Sequence, residues 1–339
     1  MNGTPASLRV SQSKGSTKPF TQQERLERVS RLLDQNLRRR TLDTRLHGGW
    51  QVLHGLLAYG PSFHVKTADG TEPAVAYLLS GGSLAGFEPI PGDLVSGRLG
   101  WKFTLDPSSK VGQGHRDQWL AILAQCDLPA DTSIRTAAGS FTIDDLVRQA
   151  EFDVPNNWER EFSWTLIGLL HYRETDHRWT ARDGRDYSIE SLLRSECSRD
   201  LAASVCGGTH RWAAIAMALQ HRRDEGRPKT GVWAEAAALV DKAVTMAHQN
   251  QNPDGSYSLA YFHRPGITRD LGERLGTTGH VLESIVLSAP REVLGEPFVE
   301  RAVDRLCDDL EAGELVDLEC GVLYHALHGL QEYYERMKP

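Results

Sequence analysis

A chain of 339 residues with 40% hydrophobic side chains is long enough to bury a large core, which excludes disorder as its overall state. Thirty-eight Lys and Arg against 45 Asp and Glu give a formal charge of -7, so no cationic surplus exists to hold a phosphate backbone, and nucleic acid is not an expected partner. Five scattered cysteines (Cys126, Cys197, Cys206, Cys307, Cys320) without a Cys-x-x-Cys pair argue against a disulfide framework or a zinc ribbon, and no run approaches the roughly 20 apolar residues of a membrane span.

In chain order, residues 1–18 are rich in Ser, Gly, Thr and Lys and read as a disordered tail, followed by one domain over residues 19–339. The amino terminus has no charged segment leading into an apolar core, so the expectation is a cytoplasmic protein, although a processed exported chain would read the same. An amphipathic helix is expected over Gln22 to Leu37, and the basic run Arg38-Arg39-Arg40 fits its carboxyl-terminal end, where cations meet the helix dipole favourably. Six apolar helices start near His47, Gly114, Glu161, Gly207, Gly276 and Glu319. Each is apolar on nearly every side and must therefore be buried on every side. Between them lie helices with one apolar stripe and one charged face, over Thr142 to Ala150, Ser188 to Glu196, Val232 to His248 and Pro297 to Glu311. The alternation predicts an inner layer of helices inside an outer one. Residues 60–113, rich in Gly, Pro and Ser with short alternating runs, break the pattern and read as a loop and hairpin insertion.

A direct repeat supports the alternation. The segment Gly139 to Leu146 is echoed by Gly184 to Leu192, with Phe141 and Tyr187 spaced 46 residues apart, and a period of this size belongs to arrays of helical hairpins. Thr142 and Ser188 stand where helix N-caps are needed, and Asp145 completes a capping box with Thr142.

Gln251-Asn-Pro-Asp254-Gly255-Ser256-Tyr257, directly after an expected outer helix, is similar to the Gln-x-x-Asp-Gly-Ser-Trp repeat of the terpenoid (squalene-type) cyclases. With the helix alternation it resembles the α/α toroid superfamily of cyclases and protein prenyltransferases, and the segments around CGGTHRW and GHRDQW resemble uncharacterised bacterial members with such repeats. The resemblance implies an all-α toroid of about six helical hairpins, with inner and outer rings and a site at the mouth of the inner helices. It implies no activity. The cyclases' Asp-x-Asp-Asp acid is missing, since only Asp144-Asp145 and Asp308-Asp309 occur, both on expected outer helices. The prenyltransferases' Asp-x-Cys zinc pair is replaced by Asp317-Leu-Glu-Cys320, and Cys206-Gly207-Gly208-Thr209 lacks the glutamine of a thioester.

Parallel inner helices bring their starts to one mouth, where backbone N–H groups favour an anionic ligand and shift a nearby thiol toward thiolate. His210, His115, Asp117 and His280 are the expected acid/base groups, for chemistry of the lyase or hydrolase type. His47, Trp50, Glu161, Arg211, Cys206 and Glu283 are the expected ligand contacts. No His-x-x-x-His or comparable pair occurs, so neither a metal nor another cofactor is assigned. The same histidines also read as groups that bond a neighbouring turn, and His325 and His328 as core residues. Two functions stand open: an enzyme acting on a small or oligomeric ligand in the mouth, or a non-catalytic binding or interaction scaffold. A deep mouth with side chains in hydrogen-bond reach favours the first, and an apolar plug favours the second. The sequence leaves the oligomeric state undetermined.

Overall fold

The computed structural model describes residues 20–137, 139–157 and 161–339, so the tail expected over residues 1–18 lies outside the described residues. Thr21 closes a capping box with Glu24 and opens α1 (Gln22–Arg39). There follow β1 (Leu42–Asp43), α2 (Gly49–Tyr59), β2 (His64–Lys66), β3 (Thr71–Pro73), α3 (Ala74–Leu79), β4 (Pro89–Val95), β5 (Arg98–Phe103) and α4 (Gln118–Gln125). The middle of the chain forms β6 (Ser133–Thr136), β7 (Gly139–Thr142), α5 (Ile143–Asp153), α6 (Ser163–Tyr172), β8 (Arg178–Thr180), β9 (Asp186–Ser188), α7 (Ile189–Cys197) and α8 (Thr209–Asp224). The remainder is helical: α9 (Val232–Gln249), α10 (Leu271–Ser288), α11 (Arg291–Leu294), α12 (Pro297–Ala312) and α13 (Cys320–Met337). The described chain is thus mostly helical, with short strands in small sheets.

The two kinds of helix expected from hydrophobic patterning are both present. Every residue of α6 from Ser163 to Leu170 is buried, and α2, α4, α8, α10 and α13 are nearly as enclosed. These six pack in succession: α2 on α4, α4 on α6, α6 on α8, α8 on α10, α10 on α13, and α13 back on α2. The half-buried helices lie against them, α5 on α4 and α6, α7 on α6 and α8, α9 on α8, α12 on α10, and α1 on α12 and α13. Small residues permit the closest crossings. A Cβ on Gly279 would stand 2.8 Å from the backbone of Ala326, so α10 and α13 approach as they do only because that atom is missing. Buried arginines fasten α1 to α12: Arg25 binds Glu300 and Asp304, and Arg28 binds Asp308 and Glu311. Arg39 pairs with Glu314 and Arg40 donates to the Gly313 carbonyl, so the basic run at the end of α1 is tied into the same end of the fold.

The repeat is broader than the sequence suggested. Three times a largely buried helix is followed by an antiparallel hairpin and a further helix: α2 with β2–β3 and α3, α4 with β6–β7 and α5, α6 with β8–β9 and α7. Thr142 and Ser188 end their hairpins and start their helices, as their alignment required. The region read as an insertion over residues 60–113 therefore contains a copy of this unit, and only the stretch carrying the β4–β5 hairpin is extra. That hairpin lies on α5, where Gln149 accepts from the Asp93 amide at 2.7 Å. A second difference concerns α10. Asp270 accepts from the Glu273 amide and starts this helix before Gly276, so His280 lies in mid-helix rather than at a helix start. No helix among the described residues is long and apolar enough to cross a membrane.

Candidate functional site

The starts of α2, α4, α6 and α8 converge on a cavity of about 600 Å³. Trp50, His115, Glu161 and Arg211 line it, with Lys110, Arg116, Asn157, Arg199, Asp200 and Ser204. Four of these side chains are cationic and two anionic, a balance that suits an anionic ligand. Arg116 makes no hydrogen bond or ion pair with another described residue, whereas Lys110 reaches Glu319 at 3.2 Å and Arg211 pairs with Glu196 at 3.1 Å.

His115 and Glu161 come from the loops preceding α4 and α6 and meet in the cavity wall, His115 Nδ1 donating to Glu161 Oε1. A polar scaffold fixes them. Asn157 donates to the Glu161 carbonyl at 2.5 Å, and Thr165 donates to Asp117 at 2.6 Å from one turn into α6. Glu196 of α7 accepts from the Phe162 amide, from Ser163 Oγ and from Arg211 Nε, so one buried carboxylate joins the starts of α6 and α8. Arg211 also donates to Ser204 Oγ at 2.7 Å.

His210 lies behind this wall. It is the second residue of α8 and only 7% exposed, with its imidazole centroid 4.9 Å from His115, 5.1 Å from Trp164 and 5.7 Å from His280. Neither of its ring nitrogens has a hydrogen-bond partner among the described residues. Burial, reinforced by His115, His325 and His280, pushes its pKa well below the ordinary histidine value. His280 is pushed down to about 3 by burial and by His325, and its Nδ1 donates to the Gly276 carbonyl at 2.8 Å.

Cys206 precedes α8 in a left-handed backbone conformation, φ 50°, and Gly207 and Gly208 continue at 61° and 80°. A side chain on Gly207 would strike the Tyr261 ring, so glycine is required there twice over. Burial, reinforced by the Glu161, Glu283 and Glu319 carboxylates, pushes the Cys206 thiol up to about 11, the reverse of the activation expected from a helix start. Thr209, beside it, donates its hydroxyl to the Cys206 carbonyl at 2.9 Å.

Two overlapping trios of potential ligand atoms result. Cys206, His210 and His280 form one, and His115, Glu161 and His210 the other, with the atoms of each within 4.8 Å of one another.

The remaining expected residues lie elsewhere. Asp117 faces the adjoining cavity under β4–β5, with its carboxyl raised by burial and bonded to Thr165. His47 is not in the cavity wall; its Nδ1 accepts from the Asp43 amide at 3.0 Å, within its own turn. Glu283 is buried deeper, accepting from His325 at 2.7 Å and His328 at 2.5 Å. Burial opposes its charge, yet the two histidines hold its carboxyl well below the usual range. Sequence reasoning missed Asn157, Glu196, Arg116 and Lys110. Glu196 sits on an amphipathic helix whose acidic residues read as solvated, and no spacing betrays that it turns inward. No family model, no curated protein and no solved structure matches the chain.

Proposed function

We propose that the protein is an α/α toroid enzyme that performs acid/base chemistry on a small anionic ligand at the mouth of its inner helices. The cycle of packing from α2 through α13 and back supports the toroid reading. The observation carrying the functional reading is the His115–Glu161 pair, set in the wall of a polar cavity of about 600 Å³ that also presents Arg116, Lys110 and Arg211. Glu161 orients the imidazole through Nδ1, leaving Nε2 to take a proton from a ligand hydroxyl or an acidic C–H and to return it to a leaving group. The cations hold the ligand's carboxylate or phosphate. A non-catalytic scaffold has no need of an oriented imidazole in an open, polar mouth.

A panel of small carboxylates and phosphate esters, titrated by calorimetry, tests the reading. At least one should bind the wild type, bind Arg116→Ala about tenfold or more weakly, and bind His115→Gln with little change, since a proton-transfer residue contributes mainly in the transition state. Absence of binding across the panel, or undiminished affinity in Arg116→Ala, removes the anionic-ligand reading.

A further inference from the structure

His210 presents a physical problem that the acid/base pair does not solve. An imidazole that is only 7% exposed and bonded through neither nitrogen to any described residue has given up its water without replacement, which is unfavourable. Aromatic neighbours pack against the ring but give its in-plane lone pair no partner. Apart from the Trp164 ring, its neighbours are the His115, His280 and His325 rings, the Cys206 thiol and the Glu161 carboxylate. All are acceptors or ligands when deprotonated.

We propose that Cys206, His210 and His280 bind one zinc-class divalent ion. Three arguments select this trio over His115, Glu161 and His210. First, His280 Nδ1 donates to the Gly276 carbonyl, which assigns its proton to Nδ1 and leaves Nε2 as a lone-pair donor, the arrangement that orients imidazoles on metals. Secondly, His115 and Glu161 are committed to each other at the cavity wall. Thirdly, Cys206 is held at φ 50°, a conformation that costs a non-glycine residue free energy, by a segment in which neither Gly207 nor Gly208 tolerates a side chain. One thiolate and two imidazoles match a borderline-soft ion such as Zn²⁺ and not Mg²⁺ or Ca²⁺. Tetrahedral bonds of about 2.0–2.3 Å place ligand atoms about 3.4–3.7 Å apart. The separations of up to 4.8 Å thus require the trio to close by about 1 Å, within reach of side-chain rotation. Three protein ligands leave a fourth position for an exchangeable oxygen, with the His115–Glu161 pair beside it. Binding releases the thiol proton to solvent and changes no oxidation state.

This inference does not rest on the acid/base reading, and the metal itself is the probe. The full-length protein, stripped with chelator, is titrated with Zn²⁺ against a chromophoric competitor, and separately with Co²⁺. The proposal expects about one ion per chain, tetrahedral-strength visible absorption for Co²⁺ and a near-ultraviolet thiolate-to-cobalt band. Cys206→Ser should abolish that band, and His280→Gln should weaken binding by about 100-fold or more. His210→Gln should do the same; should it fail to fold, the Cys206→Ser band and the His280→Gln affinity decide alone. Failure of the wild type to retain the ion against the competitor overturns the proposal. So does an unchanged spectrum in Cys206→Ser or unchanged affinity in His280→Gln. Metal binding without any anionic ligand would retain this inference and remove the acid/base one, and the reverse result would do the opposite.

Discussion

The buried imidazoles of this protein are shifted in opposite directions according to whether a carboxylate offsets their desolvation. His54, whose Nδ1 donates to the Trp50 carbonyl at 2.6 Å, has its pKa pushed down to about 3 by desolvation and by the neighbouring His325, His280 and His115. His328 behaves oppositely. Despite burial, its bonds to Glu283 and Glu332 raise it to about 10. The sequence marks these residues only as histidines on apolar helices, and burial, which it does not record, also lowers His210 and His280, two of the expected acid/base groups. A consequence for stability follows with a definite sign. The unfolded His54 protonates near its ordinary value of 6.5 and the folded one only near 3, so its contribution is present above pH 6.5 and is lost as the pH falls toward 3. Between pH 7 and 5 this amounts to about 2 kcal/mol. Urea denaturation at the two pH values should show wild-type stability falling by that much more than the stability of His54→Gln. An equal fall in both would contradict the assignment.

Among the elements, the loop after α9 was the most legible. Gln251 donates to the Gly255 carbonyl within its own turn and to the Phe298 carbonyl at the start of α12, while Arg301 donates back to its oxygen. The motif thus joins the end of one half-buried helix to the start of the next, with Gly255 at φ 88° making the turn and Asp254 accepting from Ser256. Tyr257 is buried and its hydroxyl has no partner among the described residues. Its value lies in the ring. Tyr257→Ala should cost about 3 kcal/mol and lower the melting temperature by about 4 °C without altering ligand affinity. Tyr257→Phe should be neutral or slightly stabilising, because it removes a desolvated hydroxyl. A melting temperature unmoved in Tyr257→Ala would separate the motif from stability. The first hairpin unit was less legible than this loop. Pro73 replaces the capping hydroxyl found at Thr142 and Ser188, and the β4–β5 hairpin shifts the following unit out of phase, so the 46-residue period does not reach back to α3.

At the scale of the whole molecule, the helix alternation was readable because full and half burial leave different hydrophobic patterns, and helices of both kinds were placed from sequence alone. The site was readable only in part. Trp50, His115, Glu161, Cys206, His210 and Arg211 could be grouped because they recur at corresponding helix starts, and the fold does bring these starts together. His47 and Asp117 occupy equivalent sequence positions, yet a turn hydrogen bond and the neighbouring Thr165 draw them aside, and no pattern in one sequence records which way a side chain turns. The proposed function depends above all on proton transfer by His115 and Glu161, which meet where the loops before α4 and α6 converge. The most direct measurement incubates wild-type protein and His115→Gln with a mixture of small anionic metabolites and follows depletion by mass spectrometry. At least one anionic compound should be consumed by the wild type, and His115→Gln, folded by circular dichroism, should consume it about 10²–10⁴-fold more slowly. Consumption at the wild-type rate by His115→Gln, or no consumption by either protein, would contradict the proposed function.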